Sequence, residues 1–138
     1  MGILLNERIG DTIRVSLTGP SVREVEVAYE ILRYLGLRKR GPEFVSCPTC
    51  GRTEINIIDM ANRIEKQLKN IKAPVKIAIM GCIVNGPGEA EDADFALCGG
   101  KKQALIYISG KKYKKIDKNI VNEFVRIVKW NIKSNIKD

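Results

Sequence analysis

Two thiol-bearing segments limit this chain more than any other feature. One is Cys47-Pro-Thr-Cys50; the other is Gly81-Cys82-Ile83-Val84-Asn85-Gly86-Pro87-Gly88-Glu89. Each follows a short β-forming run, Glu43 to Ser46 and Val75 to Met80, so each is expected at the mouth of a strand. A Cys-x-x-Cys pair after a strand and before a helix has three chemical readings. It is a dithiol redox pair, half of a zinc site, or part of an iron–sulfur site. Coincidence is the fourth. Helix N–H groups just after Cys50 are expected to favour the thiolate.

The chain has no histidine. The usual general base, the Ser-His-Asp triad and the commonest zinc ligand are therefore missing. Three thiols and a carboxylate make a poor zinc set but suit an iron–sulfur cluster, because soft sulfur ligands favour it. The Gly- and Pro-rich loop around Cys82 can hold Cys82 and Glu89 on one side. Its glycines are expected to supply unusual backbone angles, and Pro87 to disfavour helix at Gly86. The bland alternative is a tight turn with Glu89 in solvent. Cys98 lies in an apolar strand pattern and is expected to be a free core thiol rather than a ligand.

The fold class expected is α/β (α+β). Thr12 to Thr18 alternates apolar and polar residues and predicts a strand ended by Gly19-Pro20. Ser21 and Glu24 form a capping-box pattern before a helix that stops near Gly36. A helix is expected from about Thr53 to Lys69, with Ile55, Ile58, Ala61, Ile64 and Leu68 inward. Strands are expected at Asp94 to Leu97, Ala104 to Ser109 and Lys112 to Ile116, the last two joined at Ser109-Gly110-Lys111. A final helix is expected from about Lys118 to Lys133. Residues 1–37 cannot bury a strand and a helix alone and read as the end of something larger or as docking onto the rest; residues 41–138 are long enough for a compact unit of their own.

The net charge of +8 is localised. Residues 1–98 hold thirteen cations and thirteen anions, whereas residues 99–138 hold eleven cations, ten of them Lys, against three anions. The first reading of such an excess is a solvated, Lys-rich helix face; the second is an acidic partner, and because base reading favours Arg no nucleic acid is assigned. No run is apolar enough for a membrane helix and the start lacks a secretory pattern, so a cytoplasmic chain with no membrane contact is expected.

GDTIRVSLTG at 10–19, SCPTCGRTE at 46–54 and MGCIVNGPGEA at 80–90 together resemble the C-terminal part of the 4-hydroxy-3-methylbut-2-enyl diphosphate synthase family, over essentially the whole chain. These are iron–sulfur oxidoreductases of the non-mevalonate isoprenoid pathway. The resemblance implies a (β/α)8 barrel followed by a cluster domain similar to those of sulfite and nitrite reductases. Residues 1–37 would be the barrel's last strand–helix unit and 38–138 the cluster domain. It implies a [4Fe-4S] cluster held by Cys47, Cys50, Cys82 and Glu89, with Asn85 touching substrate and Arg14 and Ser16 contacting its diphosphate. The substrate implied is 2-C-methyl-D-erythritol 2,4-cyclodiphosphate, with an acidic donor (ferredoxin or flavodoxin) and a homodimeric parent. Most of the barrel lies outside this sequence, so the chain alone is expected to bind the cluster without turnover. The alternatives are a dithiol oxidoreductase using Cys47 and Cys50, and a one-electron iron–sulfur carrier.

Overall fold

A computed structural model of the chain describes residues 1–134 as two compact units, Met1–Arg40 and Gly41 onward. The first unit contains helices α1 (Gly2–Asn6) and α2 (Ser21–Tyr34). The strand expected at Thr12 to Thr18 is absent: this segment is irregular, although Ile13 and Val15 remain less exposed than their neighbours. Alternation specifies the faces of a strand but not its partner, and this unit has no second strand to accept its hydrogen bonds. The capping box also fails. Glu24 turns back to accept from the Leu17 N–H at 3.0 Å, and no side chain caps the helix start. The expected stop does form. Gly36 has φ +67°, Leu37 N–H donates to the Leu32 carbonyl and Gly36 N–H to that of Arg33, both at 2.9 Å, which is a Schellman ending.

The second unit is a five-stranded sheet in the order β1 (Glu43–Ser46), β2 (Lys76–Met80), β3 (Phe95–Gly100), β4 (Gln103–Ile108) and β5 (Lys111–Ile116). The first three strands are parallel; β4 and β5 are antiparallel to their neighbours. Helix α3 (Ile57–Leu68) links β1 to β2, one-turn α4 (Gly86–Glu89) lies between β2 and β3, and α5 (Ile120–Ser134) follows β5. The β4–β5 turn has positive φ at both Ser109 (+48°) and Gly110 (+73°), as a type I′ hairpin requires.

Strand periodicity sorts the core into two faces. Ile77, Ile79, Phe95, Leu97, Ala104 and Ile106 pack with Ile64 and Leu68 of α3 and Phe124 and Val128 of α5. The alternate residues Ala78, Met80, Ala96 and Cys98 form a second cluster with Ala90 and Ala93. The large residues lie beneath the long helices, and the small ones leave room for α4 to sit close to the sheet. Helix α3 begins at Ile57, not Thr53, because the Asn56 side chain accepts from Asp59 N–H at 3.1 Å and caps it there. The shift leaves Ile58 exposed and buries Ile57. Likewise β3 runs on through Cys98 to Gly100, and α5 starts at Ile120 after Asn119, whose φ is +47°.

Candidate metal centre

Because β1, β2 and β3 are parallel, their carboxyl ends share one edge of the sheet, where ligands of α/β folds characteristically bind. Cys47 is the first residue after β1, and its N–H extends the ladder to the Ile79 carbonyl. Gly81 and Cys82 follow β2 directly, while Cys98 lies in β3 opposite Met80. The topology thus delivers sulfur from three neighbouring strands to one place.

The segment after the thiol pair crosses these strand ends. The Glu54 N–H donates to the Gly81 carbonyl at 3.0 Å, and its carboxylate accepts from Lys101 N–H at 3.1 Å. Glycines clear the way. A Cβ on Gly81 would lie 2.9 Å from Thr53 Cγ2 and 3.4 Å from Cys47 Sγ; one on Gly100 would lie 3.1 Å from Glu54 Oε2; one on Gly99 would run into Ile55. A Cβ on Gly86 would stand 2.9 Å from Met80 Cβ and 3.1 Å from Cys98 Sγ. None of Gly81, Gly86 and Gly88 has the positive φ expected of them. Gly81 and Gly86 are needed because backbone and sulfur pass too close for a side chain. Nor does Pro87 prevent helix at Gly86: Gly86–Glu89 is helical, with Pro in the first turn, where its missing N–H costs nothing.

The amides, not a long helix, face the thiols. Gly81 N–H donates to Cys47 Sγ at 3.1 Å. The backbone N–H groups of Asn85 and Val84, with a smaller part from Gly86, hold the Cys82 thiol below its ordinary pKa, against burial and the nearby Glu89 charge. Cys50 is exposed; its N–H donates to Thr53 Oγ1 at 3.1 Å, and that hydroxyl lies 3.8 Å from Cys50 Sγ. The expected helix amides are absent there because α3 starts seven residues on. Buried Cys98 is pushed up to about 12, first by burial and then by the charges of Cys82, Cys47 and Glu89. It is a neutral thiol within the sheet, opposite Met80.

Glu89 is exposed at the end of α4, and the exposed Asn85 side chain caps nothing. Arg14 and Ser16 are exposed in the irregular segment of the first unit. Among the described residues no three thiol or carboxylate groups converge as ligands of a single ion. A four-iron cube takes one ligand at each corner, so its ligands stand apart around a volume. Soft sulfur ligands of which two, Cys47 and Cys82, accept backbone N–H groups suit an iron–sulfur group in kind. Thr53, Glu54 and Gly99 were not singled out from the sequence. The only signal was a hydroxyl three residues after Cys50, a spacing that equally suits a helix start. No described helix is long and apolar enough to cross a membrane.

Comparison with known proteins matches residues 43–130 to the family described as the GcpE protein C-terminal domain. Among curated relatives, "4-hydroxy-3-methylbut-2-en-1-yl diphosphate synthase (flavodoxin)" of Thermodesulfovibrio yellowstonii is 52% identical over 94% of this chain and 37% of its own length. The protein of the same name from Clostridium acetobutylicum is 54% identical over 91% of this chain and 36% of its own. That from Lawsonia intracellularis is 57% identical over 80% and 31%. The chain therefore spans only about a third of the length of these relatives.

Proposed function

Since the chain belongs to the GcpE protein C-terminal domain family, we propose that it is the cluster-binding part of an oxidoreductase that converts 2-C-methyl-D-erythritol 2,4-cyclodiphosphate to 4-hydroxy-3-methylbut-2-enyl diphosphate. The conversion takes two electrons and two protons and releases one water. The observation that carries this reading is the Gly81 N–H donating to Cys47 Sγ at 3.1 Å, which sets the residue before Cys82 against the first thiol pair at the carboxyl ends of parallel β1 and β2. Cys47, Cys50 and Cys82 would hold three corners of a [4Fe-4S] cluster and Glu89 the fourth. When bound, the cluster supplies single electrons and a Lewis-acidic iron.

The chain's own groups divide the remaining work. The N–H groups of Gly81, Val84, Asn85 and Gly86 compensate thiolate charge without titrating. Glu89, exposed on a one-turn helix, would be the cluster ligand most open to exchange, and the exposed Asn85 side chain would be available to a substrate hydroxyl. Arg14 and Ser16 would contact the diphosphate. The first unit, dividing from the second at Arg40, would be the last strand–helix of a (β/α)8 barrel, and the second a domain of the sulfite and nitrite reductase kind. The parent would be a homodimer in the cytoplasm. Exposed Lys101 and Lys102, on the turn that Glu54 holds, suit an acidic donor of flavodoxin or ferredoxin type.

The test substitutes Glu89 in the whole enzyme. Glu89→Cys should keep a cluster but slow turnover, because a thiolate leaves iron less readily. Glu89→Ala should change both the cluster spectrum and the rate. Normal spectra and normal turnover in Glu89→Ala would remove Glu89 from the site.

A further inference from the structure

Thr53 belongs to neither a helix nor a strand, yet its side chain touches both thiol-bearing segments. Its oxygen serves the first: Oγ1 accepts from the Cys50 N–H at 3.1 Å, and the hydroxyl is placed to donate to Cys50 Sγ at 3.8 Å. Its methyl serves the second: Cγ2 fills the space over Gly81, where a Cβ would come within 2.9 Å. Gly81 in turn donates to Cys47 Sγ and immediately precedes Cys82. Helix α3 does not need Thr53, because Asn56 caps it.

We propose that Thr53 is a positioning residue for the sulfur centre: its hydroxyl fixes the Cys50 loop and donates to the Cys50 sulfur, while its methyl only fills the space over Gly81. This rests on the reading of Cys50 as a cluster ligand. A donor to a ligating sulfur stabilises the more negative, reduced state of an iron–sulfur centre and so raises its potential.

The two halves of the side chain can be separated. Thr53→Val keeps the branched shape and loses the hydroxyl; Thr53→Ser keeps the hydroxyl and loses Cγ2. In the metal-free chain, amide exchange at Cys50 should quicken between about two- and tenfold in Thr53→Val and stay within about twofold in Thr53→Ser. After anaerobic reconstitution, the Thr53→Val centre should have a lower potential. At one ambient potential its reduced-to-oxidised ratio should fall by between about two- and tenfold, with Thr53→Ser close to the parent. Native Trp130 fluorescence in both variants excludes global unfolding. Unchanged exchange in Thr53→Val overturns the proposal. So does equal behaviour of the two variants, which would reduce Thr53 to a packing role. If the parent chain takes up no iron and sulfide, the cluster reading fails, and the exchange data alone decide whether Thr53 holds Cys50.

Discussion

Gly86 and Gly88 flank Pro87 in the same helical turn, and neither has a positive φ. Their surroundings nevertheless give alanine opposite effects. At Gly86 a Cβ would stand 2.9 Å from Met80 Cβ, 3.1 Å from Cys98 Sγ and 3.3 Å from Cys98 Cβ. Both neighbours are buried and belong to paired strands, so no flexible side-chain end can swing aside. Overpacking of this kind costs about 1–3 kcal/mol. Losing glycine's freedom in the unfolded chain returns about 0.4–1 kcal/mol. Gly86→Ala should therefore destabilise by roughly 1–2 kcal/mol. At Gly88 nothing lies within 4 Å of the added carbon, so Gly88→Ala should stabilise by about 0.4–1 kcal/mol. The chain has a single tryptophan, Trp130 on α5, so its fluorescence follows unfolding of the sheet unit alone. With a urea slope of ~1–2 kcal/mol/M, the Gly86→Ala midpoint should fall by about 1 M. An unchanged or higher midpoint for Gly86→Ala, or equal shifts of one sign in both variants, would refute the view that α4 is seated by close contact rather than by backbone freedom.

Two pH predictions follow from groups outside the proposed ligand set. The native Cys98 thiol is held at about 12 against 9.0 in an unperturbed chain. Below pH 9 neither state ionises and its full contribution is present. Between 9 and 12 only the unfolded chain releases the proton, so stability falls by up to about 1.4 kcal/mol per pH unit. Cys98→Ala should flatten that alkaline slope in urea titrations, and an identical slope in both proteins would contradict the assignment. Glu123, hydrogen-bonded first by Arg126 and then by Lys114, is lowered from 4.5 to about 2. Its contribution is present above pH 4.5 and is lost as pH falls toward 2. Glu123→Gln should remove that acid dependence from the thermal midpoint, which the parent should retain.

Much of the second unit was legible because its signals are local. Ser109-Gly110 specifies a turn with two positive φ values by composition alone. The alternation of Phe95, Ala96, Leu97 and Cys98 sends large side chains to one face and small ones to the other, and the 3.6-residue pattern of Val121, Phe124 and Val128 marks the inner side of α5. The misreadings share a different cause. Thr12 to Thr18 carries a strand pattern, but pairing is a property of neighbours that the pattern does not contain. Thr53 and Glu54 look like the start of a helix because capping and loop-bracing draw on the same side chains; only Asn56, three residues on, decides between them. A glycine is written the same way whether it is needed for a backbone angle or for a close approach. Gly36 and Gly110 are the first kind, Gly81 and Gly86 the second. The thiol segments were legible as chemistry, but their meeting depends on the parallel order of β1, β2 and β3, which no local motif encodes.

If sulfur from two separate loops holds one inorganic centre, iron and acid-labile sulfide counted in the anaerobically reconstituted chain should come to about four of each, and both should drop markedly in its Cys82→Ser variant. A parent that binds neither, or a variant that binds as much as the parent, would show that Cys82 and the Cys47–Cys50 pair do not share a cluster.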